Sequence, residues 1–401
     1  MSTAPSDHLA RLARLAVVTG ASVQHGQVVS VGCRPGQEDL VRAIAHEAYR
    51  AGARYVDVAW FDPVVKRERL LHADEETLDW VPPWLGMRAA ALGDMAAAAI
   101  ALAGPTHPGL MDDVDPVRAG RDRLPAVREG IEAVMAAKIN WTVVPCPTPA
   151  WAGVVFPDLD PAVALARLWD EIAHICRLDE DDPAAAWAAR GAELEASARR
   201  LDERGLDALR FVGPGTDLTV GLLPGSRWVG GGDARRDGLP HLPNIPTEEV
   251  FTTPDPGRTH GVVASTRPLD VGGTVVEGLR VTFEGGRATR IEADRGAEVL
   301  RRRAAVDEGA ARLGEVALVD GSGRIGPLGT VYFDTLLDEN AASHIALGAG
   351  YPKGAGDDEA GRINDSEIHI DFMIGGPGVT VLGVDRAGVE RVVLRDGAWS
   401  P

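Results

Sequence analysis

Side chains that bind metal ions are concentrated in four short segments of the second half of the chain. The segments are NIPTEEVFTTPDP from Asn244, LGEVALVD from Leu313, ENAASHIALGAGYPKG from Glu339 and NDSEIHIDFMIGG from Asn364. None of them has the spacing of a standard zinc motif such as HExxH or CxxC. Their carboxylate, imidazole and phenol groups form a mixed oxygen and nitrogen set, which suits zinc, cobalt or manganese better than soft, thiolate-seeking ions. A metal site built from these segments would be suited to metal-assisted hydrolysis.

The segment EIHIDFMIG is typical of a buried strand with one polar face. His369 and Asp371 are two residues apart, so the alternation of a strand puts both on the same face. Ile368, Ile370 and Phe372 then take the other face, toward a core. A metal ion would satisfy the two neighbouring polar side chains. An ordinary His–Asp hydrogen bond at a strand edge would satisfy them as well.

The segment that begins at Glu339 predicts a short helix followed by a glycine-rich turn. The helix, from Asp338 to Leu347, carries His344, and the turn GAGYPKGAG carries Tyr351. Glycines allow the sharp backbone excursions that would aim the phenol back toward the imidazole. Each residue also has a simpler interpretation, a core or surface imidazole and a packed phenol.

Three further carboxylates stand next to predicted strands. Glu315 is expected where a loop enters the apolar strand 316–319, and Glu248 and Glu249 lie between a proline-rich loop and the strand-like VFTT. Adjacent like charges raise each other's pKa unless a cation holds both ionised. Solvated carboxylates remain the alternative at these positions.

The first half of the chain alternates between helix-like and strand-like periods. Helices are predicted at residues 7–22, 37–51, 114–137, 162–177 and 183–204, and strands at 28–33, 54–60, 96–102 and 139–144. Strands that alternate with helices favour a parallel sheet covered on both faces. We therefore expect an N-terminal α/β domain with a mostly parallel sheet.

The second half has a different texture, with strand pairs separated by glycines. LRFVGPGTDLTVGL and LRVTFEGGRATRIEAD both predict such pairs, the second as a hairpin about Glu284, Gly285 and Gly286. A length of 401 residues also favours two domains over one. We expect an α/β domain over residues 1–208 and a β-rich α+β metal-binding domain over residues 209–401.

The net charge and the cysteine content indicate which classes of partner are excluded and which cellular compartment is expected. With 59 acidic and 41 basic side chains the formal net charge is −18, which repels nucleic acid and anionic membranes. The most apolar run, Met95 to Gly104, is too short to cross a bilayer, which takes about 20 residues. Three cysteines, far apart in sequence, suit a reducing compartment. We expect a cytoplasmic protein with neither a nucleic-acid nor a membrane partner.

Read together and in order, the four segments resemble a known family. NxPTEEVFTTP, GEVALV, ENxxxHIALGxxY and NxSxIHxDFMIG are similar to the thermophilic metallo-aminopeptidases, the aminopeptidase T and aminopeptidase S group. ARYVDVAWFD, RLLHADEETLDWVPPWL, NWTVVPCPTPAWAGVVFPD and GTDLTVGL are similar to the corresponding stretches of that family. The resemblance therefore covers nearly the whole chain.

The resemblance implies a set of ligands for two divalent metal ions. Carried over residue by residue, the ligands are Glu249, Glu315, His344, Tyr351, His369 and Asp371. Zinc or cobalt is expected, and manganese remains open because the residue types alone do not choose among these ions. The family also implies a homodimer.

The implied activity is removal of N-terminal residues from peptides by a water that two metal ions activate. We nominate Glu248, the neighbour of a ligand, as the general base, and Tyr351, or Lys353 nearby, as the group that stabilises the oxyanion. Two alternatives stay open: a two-metal hydrolase of other amides or esters, and a catalytically silent metal-binding homologue.

Overall fold

A computed structural model of the chain describes residues 6–271 and 274–400. The chain folds into two compact units, Met1–Ala188 with Gly232–Pro246 and Ala189–Gly231 with Thr247–Pro401. The predicted domain boundary between residues 208 and 209 stays a prediction. The two compact units first meet earlier in the chain, between Ala188 and Ala189 within the long helix Pro183–Arg204. In the part of the chain that is described, no helix is long and apolar enough to span a membrane.

The helices and strands are numbered in chain order. The helices are α1 Ser6–Leu15, α2 Glu38–Arg50, α3 Pro63–His72, α4 Pro83–Asp94, α5 Pro116–Arg121, α6 Arg128–Met135, α7 Pro149–Val155, α8 Pro161–Ile175, α9 Pro183–Arg204, α10 Ala297–Arg303 and α11 Thr335–Asp338. The strands are β1 Val28–Cys33, β2 Tyr55–Trp60, β3 Ala98–Ala103, β4 Asn140–Pro145, β5 Ala208–Gly213, β6 Thr216–Leu222, β7 Val229–Gly230, β8 Asp233–Ala234, β9 Pro240–His241, β10 Glu249–Thr252, β11 Pro254–Ala264, β12 Leu269–Val271, β13 Thr274–Val276, β14 Arg280–Glu284, β15 Arg287–Glu292, β16 Leu313–Val319, β17 His344–Gly348, β18 His369–Met373, β19 Thr380–Val384, β20 Glu390–Arg395 and β21 Ala398–Trp399.

The first unit is built on a four-stranded sheet in the order β2-β1-β3-β4. All three pairings are parallel, as the alternation of strands and helices predicts. Several helices begin with an Asp-Pro pair, whose aspartate accepts a hydrogen bond from the first turn while proline needs no partner for an N–H. Asp62 accepts from Val64 N at 2.8 Å, and Asp160 accepts from Ala162 N at 3.0 Å.

The continuous helix predicted over residues 114–137 is wrong. The structure has two helices there, α5 and α6, separated by residues 122–127. Pro125 lies in this gap, and a proline inside a helix removes one backbone hydrogen bond and clashes with the preceding turn. The apolar periodicity therefore continued across a break that the proline imposed.

The second unit contains two larger sheets, both antiparallel. Five strands run in the order β18-β17-β16-β10-β7, and eight run in the order β15-β14-β11-β6-β5-β19-β20-β21. The predicted hairpin about Gly285 joins β14 to β15. Apolar side chains from both sheets form one core cluster, which includes Phe211, Val281, Leu318 and Phe372. The prediction of a β-rich second half is confirmed.

Two expectations about the ligand-bearing segments are corrected by the strands. The helix predicted from Asp338 to Leu347 is wrong, because α11 ends at Asp338, a 3₁₀ turn covers Glu339–Ala341 and β17 starts at His344. A short apolar run such as IALG does not distinguish a buried strand from a helix. Pairing with β16 on one side and β18 on the other makes it a strand. Glu315 also lies inside β16, not at a loop before residue 316.

Candidate metal centre

The register of the five-stranded sheet brings the predicted ligands to one face. Glu315 on β16 lies opposite Ala346 on β17, and Ala346 lies opposite Asp371 on β18. Residues directly opposite in a sheet point to the same face. Glu315 and Asp371 therefore flank Ala346 on a common surface.

The same alternation adds three more of the predicted ligands to this face. His344 is two residues before Ala346, His369 is two residues before Asp371, and Glu249 on β10 lies opposite Val319, four residues after Glu315. The side chain between Glu315 and Asp371 is only the methyl of Ala346, which leaves room for the longer groups. Ile345 and Phe372 occupy the opposite face and are fully buried in the core.

The ligand atoms form two groups that share one carboxylate. Glu249, Glu315 and His344 make one group and Glu315, His369 and Asp371 the other, with the ligand atoms of each within 4.8 Å of one another. His344 Nε2 lies 2.9 Å from Glu249 Oε2 and 3.8 Å from Glu315 Oε1. His369 Nε2 lies 3.4 Å from Glu315 Oε2 and 3.3 Å from Asp371 Oδ1. Glu315 is therefore the one carboxylate that belongs to both groups.

Hydrogen bonds on the far side of each ring aim both imidazoles at the carboxylates. His344 Nδ1 lies 3.1 Å from the carbonyl oxygen of Ala342, and His369 Nδ1 lies 2.9 Å from that of Ala349. A carbonyl only accepts, so each Nδ1 carries a proton and each Nε2 faces the carboxylates. Among the described residues the buried Glu249 Oε2 makes no hydrogen bond, although His344 Nε2 is close. This donor set fits divalent cations.

The buried carboxylates of the cluster also favour positive charge beside them. Burial raises the pKa of Glu315. Burial disfavours a charged imidazole, yet Glu249 and Asp371 outweigh it and raise the pKa of His344 to about 10. Asp371 likewise raises the pKa of His369 well above its ordinary value despite burial, and His369 in turn lowers the pKa of Asp371. Without metal, the negative carboxylates keep the two imidazole rings protonated. Divalent cations would neutralise the same negative charge.

The amino-acid sequence of this chain matches that of a known family. Residues 6–399 match the family described as thermophilic metalloprotease (M29). The chain belongs to the M29 family. It is 42% identical over 401 residues to aminopeptidase T of Thermus thermophilus, with 98% of each chain covered, and 37% identical over 403 residues to aminopeptidase 2 of Geobacillus stearothermophilus, with 98% and 97% covered.

A solved structure agrees with the sequence comparison. Wild-type AmpT from Thermus thermophilus superposes with a TM-score of 0.90 at 42% identity, covering 98% of this chain and 99% of that one. The predicted family resemblance is confirmed, and with it the predicted enzyme class, because members of the M29 family are metallopeptidases. A requirement for divalent metal follows from the family.

Tyr351 stands at the edge of the cluster in this M29 member. Its ring centroid lies 5.0 Å from that of His369, and its carbonyl accepts a hydrogen bond from Thr253 Oγ1 at 2.6 Å. Gly348, with φ of +108°, starts the turn toward it, and a Cβ there would collide with the carbonyl oxygen of Ile368. Burial raises the pKa of Tyr351 far above its usual value, so the phenol keeps its proton.

Glu248, the nominated general base, points to a different set of partners. It is fully buried, and its Oε2 accepts a hydrogen bond from Arg190 Nε at 2.6 Å. The other end of that guanidinium binds Asp320 at 3.1 Å. Asn340 Oδ1 accepts a hydrogen bond from the backbone N–H of Glu248 at 2.6 Å. Glu248 lies outside both ligand groups, so its role as a base stays a prediction.

The prediction of site residues missed one carboxylate. Glu339 opens the 3₁₀ turn Glu339–Ala341, and burial together with Asp371 and Glu249 raises its pKa well above the ordinary value. Those two neighbours place Glu339 beside both ligand groups. The available signal was an acidic residue five positions before His344, at the start of a segment of small and apolar residues.

Proposed function

We propose that this M29 metallopeptidase is an aminopeptidase that removes N-terminal residues from peptides with two divalent metal ions. The observation that carries the proposal is the pair of three-residue ligand groups joined by Glu315. The relatives from Thermus thermophilus and Geobacillus stearothermophilus are aminopeptidases, which supports the substrate class.

Each ion has a proposed ligand set. Glu249, Glu315 and His344 would hold one, and Glu315, His369 and Asp371 the other, with Tyr351 beside His369. Zinc or cobalt suits these donors and manganese is the next candidate. Two such ions supply a water of lowered pKa and a polarised carbonyl group.

The chain's own residues provide proton transfer and orientation. Hydrolysis of an amide needs a group that takes the proton of the attacking water and returns it to the leaving amine. Two carboxylates compete for this role, the nominated Glu248 and the additional Glu339. Tyr351, which keeps its proton, donates a hydrogen bond to the carbonyl oxygen as negative charge develops there.

The substitutions Glu248→Gln and Glu339→Gln test which of the two carboxylates is the general base. The base variant keeps bound metal and loses turnover. If a substitution lowers the metal content, the carboxylate it replaces is a metal ligand. If a substitution lowers only the stability, the carboxylate has a structural role. Metal content, kcat and the urea midpoint measured on the same preparations assign each carboxylate.

Metal analysis of the purified protein with an aminoacyl-anilide panel tests the function itself. We expect two divalent ions per chain and anilide hydrolysis that a chelator abolishes and added metal restores. Simple esters and N-acetylated substrates serve as controls. Preference for esters would favour another two-metal hydrolase, and bound metal without hydrolysis would indicate a silent homologue.

We also propose that the protein is a cytoplasmic homodimer. Cys33, Cys146 and Cys176 are free and buried, which suits a reducing compartment. Trp80 and Trp84 are 56% and 60% exposed, and large exposed apolar side chains are typical of protein interfaces.

A further inference from the structure

Three consecutive arginines at the end of α10 have different surroundings. Arg301 Nε donates to the carbonyl oxygen of Ile291 at 2.8 Å, and Arg302 Nε donates to Glu298 at 3.0 Å. The side chain of Arg303 forms neither a hydrogen bond nor an ion pair with any residue in the ranges 6–271 and 274–400. Arg303 is nevertheless partly buried.

Arg303 lines a cavity that also contains two of the proposed metal ligands. The cavity has a volume of about 380 Å³, within the roughly 300–1,000 Å³ of small-ligand sites. Its polar wall consists of Asp270, Arg303, Thr335, Glu367, His369 and Asp371. β18, which carries the two ligands, is the edge strand of its sheet, so the cavity runs beside the metal centre.

A partly buried guanidinium without an anion is unusual in a folded protein. Arginine stays charged at every physiological pH, and a buried charge is normally paired. Burial lowers the pKa of Arg303, and no carboxylate of the cavity wall counters this effect. By contrast, Arg190, which is buried on α9, has Glu248 and Asp320 beside it. The guanidinium of Arg303 is therefore available to an anion that enters the cavity.

We propose that Arg303 binds a carboxylate of the bound peptide, downstream of the bond cleaved at the metal centre. This specificity role rests on the proposed aminopeptidase function. The planar guanidinium matches a carboxylate with two parallel hydrogen bonds. The carboxylate comes either from the C-terminus of a short peptide or from an acidic side chain.

The test compares matched substrates that share the N-terminal residue preferred in the anilide panel. One pair is a dipeptide and its C-terminal amide; the other is a dipeptide amide with Glu and its counterpart with Gln at the second position. An aminoacyl anilide carries no carboxylate. The wild type is compared with Arg303→Met, which keeps an unbranched side chain without the charge, and with Arg302→Met as the control.

We expect Arg303→Met to lower kcat/KM about ten- to a hundredfold for a carboxylate-bearing substrate, mainly through KM. Its amide partner and the anilide should keep their wild-type values, and Arg302→Met should change none of them. A loss confined to the free dipeptide identifies the C-terminus as the source. A loss confined to the Glu substrate identifies the side chain.

Equal effects of Arg303→Met on both members of each pair would overturn the inference while anilide hydrolysis upholds the proposed function. Absence of wild-type anilide hydrolysis would instead remove the proposed function and the inference with it. Anilide hydrolysis by Arg303→Met also shows that the variant is folded.

Discussion

At the scale of single residues, the chemistry depends on which atom of each side chain is left free. The backbone carbonyls of Ala342 and Ala349 engage the Nδ1 atoms of His344 and His369, which leaves both Nε2 atoms facing acidic groups. Glu315 is the residue that both groups share. Substitutions at these positions should therefore differ in how many ions they release.

His369→Ala should remove one ion and Glu315→Gln should weaken both, because only Glu315 belongs to both groups. Activity should fall by more than the roughly 100-fold typical of changes outside the ligand set. Metal content by mass spectrometry, anilide kinetics and circular dichroism check this. His260→Ala, an exposed histidine of the same unit, is the control. Full activity of metal-replete His369→Ala would contradict the ligand assignment.

Metal binding should release protons at pH 7. In the metal-free chain the pKa of His344 is raised to about 10 and that of His369 is raised well above its usual value, so both rings are protonated there. A metal binds the neutral ring, and its affinity should therefore fall as pH decreases. Calorimetric titration with zinc in two buffers of different ionisation enthalpy counts the protons released. Identical heats in both buffers would refute this linkage.

At the scale of elements, one buried ionic network joins α9, β10 and the end of β16. Arg190 on α9 binds Glu248, just before β10, and Asp320, just after β16. All three lie close to the chain segments that carry Glu249 and Glu315. Such a network costs desolvation, and we expect that it holds β10 and β16 in one arrangement.

Arg190→Met should destabilise the fold by about 3–5 kcal/mol, because it removes the guanidinium that pairs with the fully buried Glu248. Urea unfolding measures the loss. Arg199→Met on the same helix, where the arginine pairs with Glu195 on the surface, should change stability by less than about 1 kcal/mol. Equal effects of the two substitutions would rule out a special role for the buried network.

At the scale of the whole molecule, the net charge of −18 affects which substrates are attracted, and the exposed aromatic groups affect self-association. The net negative charge favours the protonated amino end of a peptide as a substrate over polyanions. The exposed side chains of Trp80 and Trp84, whose ring centroids are 6.1 Å apart, offer an apolar surface on the first unit. That surface is where we expect self-association to show.

Light scattering after size exclusion should give a dimer for the wild type. The double substitution Trp80→Ser and Trp84→Ser should shift the population toward monomer, because it removes exposed apolar area that association would bury. Trp60→Ser, another half-exposed tryptophan, is a comparison for general effects on solubility. A wild type that is monomeric at micromolar concentration would contradict the proposed homodimer.

Local signals in the sequence were sufficient for the four parallel strands of the first half, for one hairpin and for the types of ligand. GG closes the hairpin at β14 and β15, and IHID already places His369 and Asp371 on one face. Each of these depends on interactions within a few residues. Local periodicity failed at His344, where pairing with two neighbouring strands outweighed it.

Only the tertiary structure decided which residues meet across long distances. The register that sets Glu315 and Asp371 on either side of Ala346 is fixed by strand pairing, and the pairing of Arg190 with Glu248 joins residues 58 positions apart. Arg303 is one of three adjacent arginines in sequence, and only the surrounding side chains distinguish it. Residue type sets what a side chain is able to bind, whereas burial and neighbours determine what it does bind.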